Sequence, residues 1–231
     1  MYKDERSLNY AYEDEVKITI KQVQKDGSKV IRKEVQASIN KQVLGDLQLA
    51  TGQIVANDPF VCFETDPFTV TVTPGSYPVS ISVVHLPCNG YGEDKRVALA
   101  MIKFSDKKPV RWEMALTNEK QAEELDTIKE GNFFGYGVDS GTGGFMDKTV
   151  ADKLAEQEKS GEYIYDKFED EFNAAYAHTY SYILADATGS GDNDFVAFSS
   201  GFGDGCYPSY FAFDGDGEPC ALVTDFCAID F

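Results

Sequence analysis

Two aspartates in this 231-residue chain have neighbours that leave a carboxylate open to chemistry. Asp139 lies in Gly135-Tyr136-Gly137-Val138-Asp139-Ser140-Gly141-Thr142-Gly143-Gly144, and Asp204 in Ser200-Gly201-Phe202-Gly203-Asp204-Gly205. Flanking glycines carry no side chain to shield the acid and let a ligand or another backbone come close. If both segments face one cleft, like charges raise one pKa and create a general acid, or the oxygens hold Mg²⁺, Mn²⁺ or Ca²⁺. Asp139 and Asp204 are therefore the candidate catalytic residues. Gly141, Thr142, Gly143, Asp147, Gly203 and Tyr207 are the candidate ligand-binding residues around them, and Asp225 is a further carboxylate that a shared site would recruit. The plainer expectation is structural: a tight strand-to-helix connection at 135–144 and a wide turn at 199–208.

Other motifs narrow this chemistry. No lysine directly follows the last glycine of 135–144, and Asp139 and Asp147 flank the segment, so phosphate would meet repulsion where phosphate loops supply a cation. Val138-Asp139-Ser140-Gly141-Thr142 has the form of an aspartic-protease signature, but the nearest second copy, Asp186-Ala187-Thr188-Gly189-Ser190, lacks Ser/Thr-Gly directly after the acid. Asp214-Gly215-Asp216-Gly217-Glu218-Pro219 begins like a calcium loop, yet Pro219 takes the place of the required glycine, so a hairpin turn is expected. Only His85 and His178 could act as neutral-pH bases, and no Gly-x-Ser-x-Gly elbow is present. Cys62, Cys88, Cys206, Cys220 and Cys227 contain no Cys-x-x-Cys pair, so they read as reduced, mostly buried thiols. No protein metal-ligand set is assigned, and the cofactor is unknown.

Charge excludes whole classes of partner. The chain carries 39 acidic and 21 basic residues, and residues 112–231 hold 25 of the acids but only 6 of the bases. After Lys167 no lysine or arginine occurs. Nucleic-acid affinity comes from Lys and Arg displacing condensed counterions, so neither DNA nor RNA is an expected partner. No run reaches the roughly 18–20 apolar residues of a membrane helix, and the start lacks the apolar stretch of a secretory signal, so no membrane partner and a cytoplasmic location are expected.

Elements must hold these residues in place. Residues 14–39 alternate as a hairpin around Asp26-Gly27, a lysine-rich arm or sheet edge. Short strands are expected at 68–72, 77–84 and 96–104, then at 194–199, 207–213 and 219–226. Helices are expected at about 117–130, 149–160 and 162–178. The second opens on a capping box from Thr149 to Asp152, and the third buries a Tyr165, Phe168, Phe172 and Tyr176 stripe. The expected architecture is an α+β fold: a mostly antiparallel or mixed sheet with about three helices in the C-terminal half. It is divided into an N-terminal hairpin arm (1–44) and a single domain (45–231).

Several blocks in order resemble one family. They are Ala56-x-Asp58-Pro59, Pro67-Phe68 leading to Pro74-Gly75-x-Tyr77-Pro78-Val79, and Arg96-Val97-Ala98 leading to Trp112-Glu113-x-Ala115. Gly137 to Asp147, Ser200 to Pro208, and Leu222-Val223-x-Asp225-Phe226 complete the set. Over about residues 45–227 the chain resembles the uncharacterised bacterial family called domain of unknown function 4241. The resemblance implies no activity, fold name or cofactor. Two functions follow from the residues themselves. The first is a non-enzymatic binding module for a basic protein partner or a small ligand, whose acidic half would steer cations toward it. The alternative is a carboxylate-based hydrolase assisted by a divalent ion. Sequence does not decide whether the protein is an enzyme, nor its oligomeric state.

Overall fold

The computed structural model describes residues 5–26, 29–61, 65–88, 92–129, 131–177 and 179–229, with side chains omitted at 5–6, 21–26, 29–33, 88 and 92–93. His178, Cys62, Gly27 and the Cys88 side chain, all named above, lie outside this description. Chain order begins with a short helix α1 (Glu5–Asn9) and a 3-10 turn at Tyr10–Tyr12. Five strands follow: β1 (Glu15–Asp26), β2 (Lys29–Leu49), β3 (Ile54–Asn57), β4 (Gly75–Cys88) and β5 (Gly92–Lys103). Then come β6 (Arg111–Met114), α2 (Glu119–Leu125), β7 (Tyr136–Val138) and β8 (Thr142–Asp147). The chain continues through α3 (Lys148–Lys159), α4 (Ile164–Ala174), β9 (Tyr182–Ala185) and β10 (Phe195–Ser199). It finishes with β11 (Gly205–Tyr207), β12 (Ser209–Phe213) and β13 (Pro219–Asp225).

Every ladder among the described residues is antiparallel. Seven strands form one sheet in the order β1-β2-β4-β5-β13-β12-β6, four form a second in the order β3-β8-β10-β9, and β11 pairs with β7 as a small third. The two larger sheets stack face to face. Their shared core takes Leu47, Leu49, Ile81 and Val97 from the first, and Ile54, Phe145, Val196 and Phe198 from the second. The far side of the large sheet buries Ile39, Val84, Leu99 and Val223 beneath the N-terminal turn and the residues near Ile229. The far side of the small sheet is covered by Val150 and Leu154 of α3 and Ile164 and Phe168 of α4.

A bulge in β2 makes this stacking work. Ala37 and Ile39 face the outer core, whereas Leu47 and Leu49, also odd-numbered, face the inner one. Side chains alternate strictly along a strand, so an extra residue must intervene. Val43 pairs with Ser80 and Gly45 with Val79, leaving Leu44 opposite nothing. At Gly45 φ is +138°, and an added Cβ would lie 2.6 Å from Leu184 Cδ2, so a side chain there would be strained. β1 forms an edge of the large sheet, and β2 runs through position 44 into the pairing with β4.

Several local expectations need correction. Residues 68–72 form no strand beyond an isolated bridge at Thr71. The first expected helix is confined to Glu119–Leu125, and α1 was not foreseen. Helix α3 is capped by Asp147, whose carboxylate accepts from Thr149 N, and not by Thr149. The third expected helix is confined to Ile164–Ala174, so Tyr176, 61% exposed, lies beyond its end; of the stripe residues on α4 only Phe168 is fully buried, and Tyr165 is 38% exposed. Cys206 and Cys227 are exposed rather than buried: Cys206 lies in the short two-stranded ladder of β11 and β7, and Cys227 lies two residues beyond β13.

Candidate functional site

Asp58 organises the region that contains Asp139. It follows β3 immediately, and the next residue, Pro59, has no N–H to offer, so its carboxylate turns to the neighbouring loop. Asp139 N and Ser140 N donate to Oδ2 at 2.9 and 2.7 Å, while Ser140 Oγ and Phe60 N donate to Oδ1 at 2.7 and 3.0 Å. Asp58 is 0% exposed, so these bonds replace the water that a buried carboxylate must otherwise keep. Sequence reasoning named Asp58 only within the block Ala56-x-Asp58-Pro59 and not as a site residue; the signal was the acid placed between a strand and a proline.

The clamped turn leaves the Asp139 side chain exposed. Gly141 closes the turn at φ +68°, its carbonyl accepts from Ser200 N at 3.0 Å, and a Cβ on it would stand 3.8 Å from Gly203 Cα. Tyr207 donates its hydroxyl to Gly203 O at 2.6 Å, and Ser200 Oγ donates to the same oxygen at 2.9 Å. The two glycine segments therefore do meet. β7 and β11 pair Val138 with Gly205, so one step past the ladder Asp139 stands opposite Asp204, both exposed.

The remaining candidates lie elsewhere. Residues 142–147 are a fully buried strand and not part of a loop. Thr142 and Gly143 are enclosed there, and a Cβ on Gly143 would meet the Tyr136 hydroxyl at 2.7 Å. Asp147 is at the far end of β8, on the order of 15–20 Å along the strand from the Asp139 turn. Ligands of one ion lie within about 2.6 Å of it, so Asp147 and Asp139 cannot share a cation. Both oxygens of Asp147 accept internal bonds, from Thr51 N at 2.8 Å, Gly52 N at 3.2 Å and Thr149 Oγ1 at 2.7 Å. Asp225 is buried and accepts from Cys227 N at 2.8 Å. Among the described residues no group of three or more His, Cys, Asp or Glu side chains is arranged to hold a metal ion. Although Cys206 is exposed as a residue, partial desolvation pushes its thiol up, which leaves it a poor nucleophile.

On the other side of β7 a cavity of about 220 Å³ opens. Ala56, Asn57, Phe68, Ala115 and Ser209 form its buried part, and Thr65, Asp66, Thr117, Gln121 and residues 134–137 its rim. Several polar groups on this wall are held in place, although the buried Tyr136 hydroxyl has no hydrogen-bond partner among the described residues. Asn57 Nδ2 donates to Thr65 Oγ1 at 3.4 Å, and Ser209 Oγ lies 2.7 Å from Thr224 Oγ1. Gln121 is fixed by the cap of α2: its backbone N–H donates to Asn118 Oδ1 at 3.0 Å, and its Oε1 accepts from Thr117 N at 2.8 Å. Burial raises the Tyr136 phenol well above the usual tyrosine value, so it stays protonated at neutral pH. None of these wall residues except the glycine-segment members Gly135, Tyr136 and Gly137 was tied to a site in sequence, Ala56, Phe68 and Ala115 entering only through the family blocks, because they come from five separated stretches.

A stacked pair of antiparallel sheets with helices outside, a pinned double-glycine junction and a small lined cavity define the class. The chain belongs to the family described as protein of unknown function (DUF4241), whose model matches residues 47–224. No curated protein and no solved structure matches the chain.

Proposed function

We propose that this chain is a binding module that takes a small polar molecule into the cavity beside β7. One observation carries the reading: the cavity joins a rigid buried floor to a rim of fixed hydroxyl and amide groups and aromatic rings, the usual make-up of a small-ligand site. Its lining includes no lysine, arginine, histidine or cysteine among the described residues, which favours holding a molecule over transforming it. In volume it equals about seven waters at ~30 Å³ each, the size of an amino acid, a nucleobase or a monosaccharide. Thiols at Cys206, Cys220 and Cys227, none in a disulfide, support a reducing, cytoplasmic setting.

Gly137 provides the test. It lies on the cavity rim, and a Cβ placed on it would meet nothing within 4 Å, so Gly137→Leu adds bulk at the mouth without a backbone clash. Amino acids, nucleobases, monosaccharides and small amines are to be titrated by NMR. At least one class should shift the amide resonances of Gln121, Phe134 and Tyr136 saturably in the wild type and not in G137L. Shifts that persist in G137L would place binding elsewhere.

The opposition of Asp139 and Asp204 favours one second reading, a hydrolase that uses this pair with a divalent ion. A ligand of the native state must raise its melting temperature. Millimolar Mg²⁺ or Mn²⁺ should then stabilise the wild type and not Asp139→Asn, and an unmoved melting curve removes this reading.

A further inference from the structure

The rim of the cavity carries a single sign of charge, and from this we infer that its ligand is a small organic cation with an apolar or aromatic body. The inference rests on the cavity reading and names the chemical class it selects. Among the described residues Asp66 is the one ionisable carboxylate in the lining; it is exposed and has no ion-pair partner there. An unpaired carboxylate at the mouth of a partly enclosed space attracts an ammonium or guanidinium group and repels a carboxylate or phosphate. Walls of Phe68, Phe134 and Tyr136 add ring faces and edges, which suit a cation or an apolar chain.

The elements that build the rim reinforce the choice. Helix α2, which supplies Gln121, also carries exposed Glu119, Glu123 and Glu124. Lys120 is held 3.6 Å from Glu124, so it offsets part of that charge without reversing it. The surrounding half of the chain is strongly acidic, and its field draws cations to a low-dielectric mouth. No helix end or metal is needed: the selection comes from one carboxylate, three rings and the sign of the surrounding potential.

Three probes of similar size and different charge test this: 2-phenylethylamine, 2-phenylethanol and 3-phenylpropanoate, titrated by NMR against wild type, Asp66→Asn and Gly137→Leu at low salt. The amine should bind the wild type about tenfold tighter than the alcohol, and the carboxylate should not bind. Asp66→Asn should erase the amine's advantage while the alcohol binds as before. Because Asp66 is exposed and unpaired, this variant keeps the fold, which a matching melting temperature verifies. Equal binding of amine and alcohol by the wild type, or an advantage that survives D66N, overturns the cation class and leaves the cavity standing. Amine binding that is undiminished in G137L, or no binding by any probe, overturns the cavity reading as well.

Discussion

At the scale of single residues, the contrast between Asp58 and Asp139 is the main lesson. Both are aspartates beside turn-forming residues, and flanking glycines drew attention to Asp139 while Asp58 stood between a strand and a proline. One is sealed and accepts four hydrogen bonds, while the other faces solvent. Asp58→Ala would strand two backbone N–H groups of the turn, so it should lower stability by about 3 kcal/mol, read from the urea midpoint. Asp139→Asn and Asp204→Asn should change it by less than about 0.5 kcal/mol. Acid sensitivity belongs to other side chains. Asp186 is held below the usual carboxylate range by N–H bonds from Gly191, Ser190 and Gly189, and Asp214 is held low by the Lys107 ammonium. A carboxyl whose folded pKa is depressed stabilises above its unfolded value and loses that contribution as pH falls through the folded one. The melting temperature should therefore fall on acidification below about pH 4, and Asp186→Asn should make the fall shallower. An identical slope in the variant would assign the loss to other groups. Sequence exposed which acids had bare neighbours; it could not show which were buried, because burial is set by strands 80 residues away.

At the scale of elements, strands were legible wherever apolar residues ran through a segment bounded by turn residues, as in β4, β5, β10 and β13. Residues 68–72 show the limit. Phe68-Thr69-Val70-Thr71-Val72 alternates well, yet its backbone bonds go to Ile54, Leu116 and Gly52 on different partners, so no ladder forms. The imperfect alternation of β2 carried information of another kind, since the break marks the bulge at Leu44. Removing Leu44 would restore strict alternation and drive Leu47 and Leu49 out of the inner core. The deletion should abolish cooperative thermal unfolding, whereas Leu44→Ala should retain it; a cooperative melt in the deletion variant would show that the bulge does not set the faces. The site was half legible for the same reason. Both glycine segments of the junction stood out, but a cavity wall drawn from β3, residues 65–68, the segment from 115 into α2, residues 134–137 and β12 has no local signature.

For the whole molecule, net charge and topology govern behaviour. A formal charge of −18 opposes compaction, and counterions screen it over about 8 Å at physiological ionic strength. Raising NaCl from about 0.02 to 0.3 M should increase the melting temperature, and a flat response would show that self-repulsion is negligible. No helix among the described residues is long and apolar enough to cross a membrane. The order of strands has one more consequence. β13 is last in chain order but fifth across the large sheet, hydrogen-bonded to β5 on one side and β12 on the other. While the ribosome is still producing the chain, hairpins β1–β2 and β4–β5 can assemble, but the rim of β5 stays bare until residues 219–225 emerge. A nascent polypeptide stalled upstream of that point would carry two mismatched half-sheets and would depend on chaperones to avoid joining with its neighbours.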